Sequence, residues 1–522
     1  MADAPLAFDV AVVGGGIHGA AIARDAAGRG LSVLLLERGD LGGETSSASS
    51  KLIHGGLRYL EHLDLRLVRE ALAEREVLLA TAPHLVRPLS FVLPLAPGVR
   101  PAWLVRFGLA LYDRLAGQGT LPGSHALRLA GSPLGAGLRP EYERGFLYSD
   151  ARADDARLVL ANARAAADLS ATVWPRTELV SARRGPQGWE LATRPCPAAN
   201  GALPRRVPRA PVACAARALV NAAGPWAEQL LRDVAQVEPR RRLRLVKGSH
   251  VVVPSLYPGE HAFILQQPDR RVVFAIPFGP GRTLLGTTEV AATLPAHVSI
   301  DAAEIDYLCA AAGRFLCAAP SPRDVLWSYS GLRPLLDDSR GSLSAITRDY
   351  ALDLSDAGAP LLTAWGGKLT TARRLAERAV DRLAPLLGAL HPAFTSTASL
   401  PGGALPAGAD AAQRCAAALL ELRATQPALA PELLSALLDR HGTLAGTLLS
   451  GAHGAAARGA PSLPGLHPAE LPWFMEGEWA ACADDVLWRR SKAGLLADPS
   501  LAATLDAWLA GQLGAAGRAP PA

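Results

Sequence analysis

A chain of 522 residues has room for two or three domains with large cores, and 49% hydrophobic against 19% charged residues marks it as globular rather than disordered. The net charge of +5 is mild for this length: nucleic-acid binding would need a concentrated basic stripe, whereas contact with an anionic membrane surface or attraction of anionic substrates needs no more than this. The six cysteines are dispersed without a C-x-x-C, which speaks against a zinc site or a disulfide scaffold and for reduced cytoplasmic thiols, so no metal is expected. No run of about 18 or more apolar residues lacks a charge, Gly or Pro, and the first apolar run is too short for a secretory signal, so neither a spanning helix nor a signal segment is expected.

The stretch Phe8–Asp40 organises the rest of the chain. Val10–Val13 reads as a buried parallel strand, Gly14, Gly16 and Gly19 come next at G-x-G-x-x-G spacing, and an Ala-rich helix runs to Gly28–Gly30. A second strand, Ser32–Leu36, ends at Glu37. Gly14 allows the tight strand-to-helix turn, Gly16 lets a pyrophosphate approach the backbone, and Gly19 lets helix and strand pack closely. The helix N-terminus offers unpaired N–H groups and a positive dipole end to phosphates. Glu37, 18 residues beyond Gly19, is placed to accept hydrogen bonds from a ribose. Strand, glycines, helix, strand and acidic end together predict a dinucleotide site. A nicotinamide enzyme would continue with a further helix-and-strand repeat. Here the chain gives the hydroxyl run Thr45-Ser46-Ser47-Ala48-Ser49-Ser50, then Lys51, His54 and a Gly55-Gly56 pair that can admit a flat ring. The hydroxyls suit phosphate oxygens or a helix cap, and both readings stand.

Asp64–Ala82 is an amphipathic helix with Leu65, Val68, Leu72 and Leu79 on its apolar face and Arg66, Arg69, Glu70, Glu74 and Arg75 on the rest. Pro83 ends it, and Leu89–Leu95 opens an inserted domain. Trp103–Leu115 is a helix with two readings, a domain-packing element or a membrane-surface helix. Asp154–Ala167 is a helix capped by Asp154 or Asp155, followed by a strand at Ala171–Trp174. Leu179–Ala182 and Glu190–Thr193 read as a meander in a smaller sheet, turned by Gly185–Gly188. The Pro/Ala/Arg-rich segment Arg194–Ala210 reads as a surface loop. Ala218–Asn221 is a buried strand turned into a helix by Gly224-Pro225-Trp226. Gly248–Pro254, Ala262–Gln266, Arg271–Pro277 and Thr283–Thr288 suggest an antiparallel platform under a substrate. A helix at Glu304–Ala318 and strands at Val325–Tyr329 and Thr363–Trp365 come after it. Thr370 or Thr371 can cap a helix from Ala372, with Leu375, Ala379, Leu383 and Leu386 on one face. Beyond Leu400 the pattern is helical, around Ala411–Ala424, Pro431–Arg440, Pro468–Ala480, Asp484–Lys492 and Leu501–Leu513.

The run Thr45–Tyr59 resembles the FAD-dependent, quinone-linked glycerol-3-phosphate dehydrogenases, membrane-associated flavoenzymes of the glycine/D-amino-acid oxidase-like fold family. The resemblance continues through Asp154-Asp155-Ala156-Arg157-Leu158, Asn221-Ala222-Ala223-Gly224-Pro225-Trp226, Lys247-Gly248-Ser249-His250 and Gly286-Thr287-Thr288. It extends to Tyr329-Ser330-Gly331-Leu332-Arg333-Pro334, Gly366-Gly367-Lys368-Leu369-Thr370-Thr371 and Asp484-Asp485-Val486-Leu487-Trp488-Arg489-Arg490. It departs from the family pattern at Leu41-Gly42-Gly43-Glu44, where an acidic residue precedes the hydroxyls.

The resemblance implies an α/β fold: a discontinuous Rossmann-like FAD-binding domain (1–85, 145–240 and 330–395), an inserted antiparallel-sheet substrate or cap domain (86–144 and 241–329), a C-terminal helical domain (400–515) and a disordered tail (516–522). It implies oxidation of sn-glycerol 3-phosphate to dihydroxyacetone phosphate, hydride passing to flavin N5 and electrons on to a membrane quinone. Alternatives are an oxidase using dioxygen and a non-catalytic flavin-binding protein. FAD would rest on Gly14, Gly16, Gly19, Glu37, Thr45, Ser46, Ser50, Lys51, Val173, Gly224, Gly367 and Leu369. The substrate would meet Arg58, Tyr59, Arg333, Lys368 and Thr370, arginine suiting a phosphate by its planar, bidentate fork. Structural ion pairs of Arg58 and Arg333 with Glu61 or Asp337 are the competing reading. His54 and Lys368 are rival bases for the hydroxyl proton. The N-terminus of the helix from Ala372 would stabilise a reduced flavin. A homodimer, peripherally bound at the cytoplasmic face of the cell membrane, is expected, without nucleic acid as a partner.

Overall fold

The computed structural model describes residues 6–62, 64–96, 100–117, 119–269, 271–294, 298–337, 349–450 and 459–516, the side chains of residues 58, 62, 515 and 516 excepted. The tail expected at 516–522 therefore lies, beyond the backbone of residue 516, outside the described residues.

Two sheets carry the molecule. The first is an eight-stranded sheet whose centre is five parallel strands in the spatial order Leu361–Gly366, Val212–Asn221, Leu6–Val13, Val33–Leu36 and Thr172–Trp174. These strands are buried on both faces, and accordingly read as continuous apolar runs such as Val33–Leu36. The helices Ile17–Gly28, Asp155–Asp168 and Ala372–Leu387 close one face, sharing a core built on Ile22, Leu35, Val159 and Leu375. An antiparallel strand, Tyr350–Ser355, edges this sheet. The hairpin Thr177–Arg184 and Trp189–Pro195 also joins it, through pairing with Val212–Asn221. That corrects the expected separate smaller sheet: the alternation was right, but Trp189 and Leu191 pack into the core of the main sheet.

The second sheet has ten strands and is mostly antiparallel. It contains the expected series Leu243–Pro254, Ala262–Gln266, Val272–Pro277 and Arg282–Gly286, and joins it to Val86–Pro94 by a parallel pair, Ala262 opposite Phe91. Two of its strands exceed expectation. Arg144–Ala153 pairs along all of Val86–Pro94, and Trp327–Leu336 pairs with Leu243–Val252 well past Tyr329. Pro334 is tolerated there because, among the described residues, this strand has a neighbour on only one side.

On the helix Leu65–Thr81, Val68, Leu72 and Leu79 are buried, but Leu65 is exposed, whereas Glu74 and Arg75 are buried in ion pairs with Arg373 and Asp150. Leu386 is likewise exposed, while Leu375, Ala379 and Leu383 are buried. The helix Ala102–Ala116 buries Val105, Leu109 and Tyr112 and leaves Trp103, Leu104 and Phe107 exposed, so it packs and bares an apolar face at once. Among the described residues no helix is long and apolar enough to cross a membrane.

The C-terminal helices have their own core around Leu437, Leu448, Phe474 and Leu505. The loop expected to be a free surface segment is docked there: Ala198 and Ala202 are buried in that core, and Asn200 donates to the Ala481 carbonyl at 3.0 Å. The segment Asp485–Arg490 ties these helices to the rest. Arg489 and Arg490 both donate to Asp40, which lies just past the Glu37 strand end, and Arg176 donates to Asp485 at 2.7 Å. Trp488 stacks on Trp327 of the second sheet, centroids 4.4 Å apart. Arg490 is fully buried. Its truncation to Ala leaves Asp40 buried with one guanidinium fewer and is expected to destabilise the chain by about 3–5 kcal/mol, read as a lowered denaturant midpoint.

Candidate active site

The parallel strands end together, and at their carboxyl ends lies a cavity of about 1050 Å³ running between the two sheets. This is where open α/β sheets bind ligands, at the point where the chain turns from one side of the first strand to the other. One end is built by the strand termini. Gly14 has φ +112°, and a Cβ there would lie 2.4 Å from the Ala222 carbonyl oxygen. A Cβ on Gly19 would lie 1.8 Å from the Gly14 oxygen, so the helix touches the turn at a distance only glycine permits. Gly19 itself is beneath the turn and not on the cavity wall, whereas Gly14, Gly16 and Gly224 are on it.

The hydroxyl run supplies a helix cap and part of the cavity wall. Ser46 Oγ accepts from the Ile17 N–H at 3.0 Å, capping the first helix, and Thr45, Ser46 and Ser50 all line the cavity. Thr45 Oγ1 donates to the Leu332 carbonyl, and Ser50 Oγ lies 2.9 Å from His250 Nε2. Glu37 also lines the cavity, its carboxylate accepting from Gly15 N–H and Gly39 N–H at 2.7 Å each. Burial pushes that carboxyl up, and the two N–H groups pull it back. Beside it the Arg38 guanidinium lies over the Trp226 ring, 4.5 Å from its centroid.

Besides Gly19, two residues expected at the cofactor stand away from the cavity wall. Lys51 Nζ is buried in an ion pair with Asp155 at 2.8 Å and donates to the Ser47 carbonyl, so its charge holds the hydroxyl loop to the helix Asp155–Asp168. Val173 is a core residue of its strand; the nearby wall is formed instead by Thr177, Glu178 and Leu179.

At the other end the turn Gly366-Gly367 delivers Lys368, Leu369 and Thr370 to the cavity, ahead of the helix Ala372–Leu387. Thr371 is the N-cap of that helix, but its side chain makes no capping bond. Facing them are His54, Tyr59 and Arg333. The Lys368 ammonium lies 4.8 Å from the Tyr59 ring centroid, and its Nζ is buried with no hydrogen-bond partner among the described residues. Burial brings its pKa down to about 8, against the opposing pull of Asp150, Asp349 and Glu70. His54 is pushed down to about 3, first by burial and then by the charges of Lys368 and Arg333. Thr370 Oγ1 accepts from the His54 N–H at 3.3 Å. Arg333 donates to Thr287 Oγ1 at 2.9 Å and lies 3.8 Å from Glu289. Arg58 belongs to the turn Leu57–His62, and its side chain lies outside the described residues. Glu61, one carboxylate expected to compete for these arginines, is engaged by Arg100 at 2.7 Å.

Sequence reasoning missed the support beneath this end. Tyr112 OH accepts from the Gly55 N–H at 2.8 Å and donates to Asp150 at 2.7 Å, while Arg75 holds the other Asp150 oxygen. Burial raises Asp150 to about 6, against the pull of Arg75 and Tyr112. Nothing in the spacing of residues 55, 75, 112 and 150 signals this contact. Thr287 did have a signal, since it sits in the Gly286-Thr287-Thr288 motif.

The cavity, the glycine turn against its far wall and the unpartnered Lys368 ammonium fit a flavin dinucleotide. The family model of the FAD dependent oxidoreductases (DAO) matches residues 9–373. A glycerol-3-phosphate dehydrogenase of Pseudomonas aeruginosa is 48% identical over 97% of this chain and 96% of its own.

The chain belongs to the FAD-dependent glycerol-3-phosphate dehydrogenase family.

Another member, the aerobic glycerol-3-phosphate dehydrogenase of Escherichia coli, is 44% identical over 96% of this chain and 97% of its own. A D-erythritol 1-phosphate dehydrogenase of Brucella abortus is 45% identical over 94% and 95%. The glycerol-3-phosphate dehydrogenase of Bacillus halodurans, solved with FAD, superposes with a TM-score of 0.74 at 27% identity, covering 97% of this chain and 91% of that one. As an FAD-dependent oxidoreductase of this family, the chain uses FAD.

Proposed function

We propose that this protein oxidises sn-glycerol 3-phosphate to dihydroxyacetone phosphate and passes the electrons to a membrane quinone. The observation that carries the reading is the cationic corner of Arg333 and Lys368, set with neutral His54 in the cavity that also holds the nucleotide turn. Bound FAD supplies the hydride acceptor. Gly14, Gly16 and Ser46 line the turn for its diphosphate, Glu37 the ribose end, and Gly367 and Leu369 the ring end. Arg333, held by Thr287, binds the substrate phosphate, with Arg58 as the second fork of the clamp. A second reading keeps the clamp and lengthens the carbon chain, because the Brucella abortus relative is named for a four-carbon polyol phosphate. Comparing kcat/KM for the two phosphates, with a quinone analogue and with dioxygen as acceptors, tests the reading. Glycerol 3-phosphate with the quinone is expected to be the best pair; dominance of the four-carbon substrate or of dioxygen would replace it.

The pH profile separates the two candidate bases. A base must be deprotonated to take the hydroxyl proton. Lys368, lowered to about 8, gains its neutral form as pH rises through that value, whereas His54, lowered to about 3, is neutral throughout the working range. If Lys368 is the base, kcat/KM climbs with pH up to about 8 and then levels, and Lys368→Met removes the climb. A profile flat from about pH 5 to 9 assigns the proton to His54.

The exposed Trp103, Leu104 and Phe107 lie at the mouth of the cavity, where Leu104 and Phe107 also line it. Peripheral contact through this apolar face would bring a lipid-borne acceptor to the site. Replacing Trp103 and Phe107 together by Ser is expected to reduce co-sedimentation with anionic lipid vesicles several-fold, with flavin content unchanged. Undiminished binding would move the membrane face elsewhere.

A further inference from the structure

Lys368 shares the cavity wall with a second buried polar atom that has no hydrogen-bond partner among the described residues, His18 Nε2. His18 stands in the first turn of the helix Ile17–Gly28, immediately before Gly19. Its ring is seated against the other glycine turn: a Cβ built on Gly367 would lie 2.7 Å from His18 Cε1 and 3.0 Å from Nε2. The Lys368 backbone draws the imidazole's pKa upward, and because Nε2 is the unpartnered atom, Nδ1 is the nitrogen turned to it.

This arrangement sets the tautomer. A backbone group that favours the protonated ring is an acceptor, so the Lys368 carbonyl fixes the proton on Nδ1. Burial lowers the pKa of the ring to about 4, so the imidazole is neutral in the working range. Nε2 is then a bare lone pair in the cavity, and leaving it unmatched is costly. The occupant of the cavity must bring it an O–H or N–H donor.

Position narrows the donor. His18 stands two residues after Gly16, of the first glycine turn, and packs against Gly367, of the second. In FAD the group that joins diphosphate to ring is the ribityl chain, which carries three hydroxyls. We propose that His18 Nε2 accepts a hydrogen bond from a ribityl hydroxyl of FAD, making His18 a cofactor-binding residue that links the two glycine turns. The inference rests on FAD as cofactor and not on the identity of the substrate.

The test uses the full-length apoprotein without substrate and monitors flavin fluorescence to obtain Kd. The probes are FAD and its 2′-, 3′- and 4′-deoxy analogues, and the variants are His18→Leu and His18→Phe, the second keeping the flat ring should the first fail to fold. Loss of the bond is expected to raise the Kd for FAD about tenfold. One deoxy analogue should bind the wild-type protein about as weakly as FAD binds the variant, and should bind both proteins equally. The other two should keep the full penalty of the substitution. Unchanged FAD affinity in a folded variant would overturn the proposal. So would an equal penalty for all three analogues, because it would place the lost interaction outside the ribityl hydroxyls.

Discussion

Arg333→Ala is expected to lower kcat/KM for glycerol 3-phosphate by at least about ten- to a hundredfold. The reason is the loss of charge-assisted hydrogen bonds, worth roughly 1.5–3 kcal/mol, to a dianion that offers few other handles. Glycerol shares the reacting alcohol and lacks the phosphate, so its already slow reaction should be nearly unaffected. Arg333→Lys should recover part of the loss, because an ammonium restores charge without the planar fork. The geometry sets the alternative sharply. Arg333 lies 3.8 Å from Glu289 and bonds Thr287, so a purely structural role would disturb the wall for any substrate. Parallel kinetics on both substrates decide: equal losses would mean a structural ion pair, and a loss confined to the phosphate ester means the clamp.

Gly16→Val is expected to leave a folded, colourless protein. A Cβ at this position meets only the Ser46 side chain, 2.9 Å from its Oγ, so the fold can adjust by turning one hydroxyl. The cofactor cannot adjust, because the valine occupies the space in which a diphosphate must reach the backbone N–H groups. Loss of two or more such bonds should raise the FAD dissociation constant roughly a hundredfold or more. Gly19→Val should behave differently, since its Cβ would lie 1.8 Å from the backbone oxygen of Gly14, and that clash can be relieved only by separating helix from strand. It is expected to fail at folding. Flavin absorbance per protein, measured beside the thermal transition of each variant, tells the two apart. Fully loaded, yellow Gly16→Val protein would contradict the placement of the diphosphate.

The parts of this molecule that were legible are those in which a local pattern carries the whole reason. The strand-glycine-helix unit is such a case: Val10–Val13, Gly14, Gly16 and Gly19 each do one local thing. The antiparallel series from Leu243 to Gly286 is another, because alternation and turn residues suffice. What escaped depends on partners far along the chain. Arg144–Ala153 does not read as a strand, since Asp150 and Arg152 interrupt its apolar pattern, and Asp150 becomes acceptable inside only because Arg75 and Tyr112 come to meet it. The segment Arg194–Ala210 has the composition of a free loop, yet Ala198 and Ala202 find the C-terminal core. Lys51 is a cofactor contact by the family resemblance, and only the fold shows its charge paired with Asp155. His18 carried no signal beyond its place among the glycines, and its isolation became visible only once Gly367 was set against it.

The most direct test of the central claim is a single anaerobic turnover. One equivalent of sn-glycerol 3-phosphate mixed with the FAD-loaded enzyme is predicted to bleach the flavin absorbance and to yield dihydroxyacetone phosphate one for one, while the same amount of glycerol leaves the flavin oxidised. Flavin that stays oxidised with glycerol 3-phosphate, or that is bleached as fast by glycerol, would contradict the account.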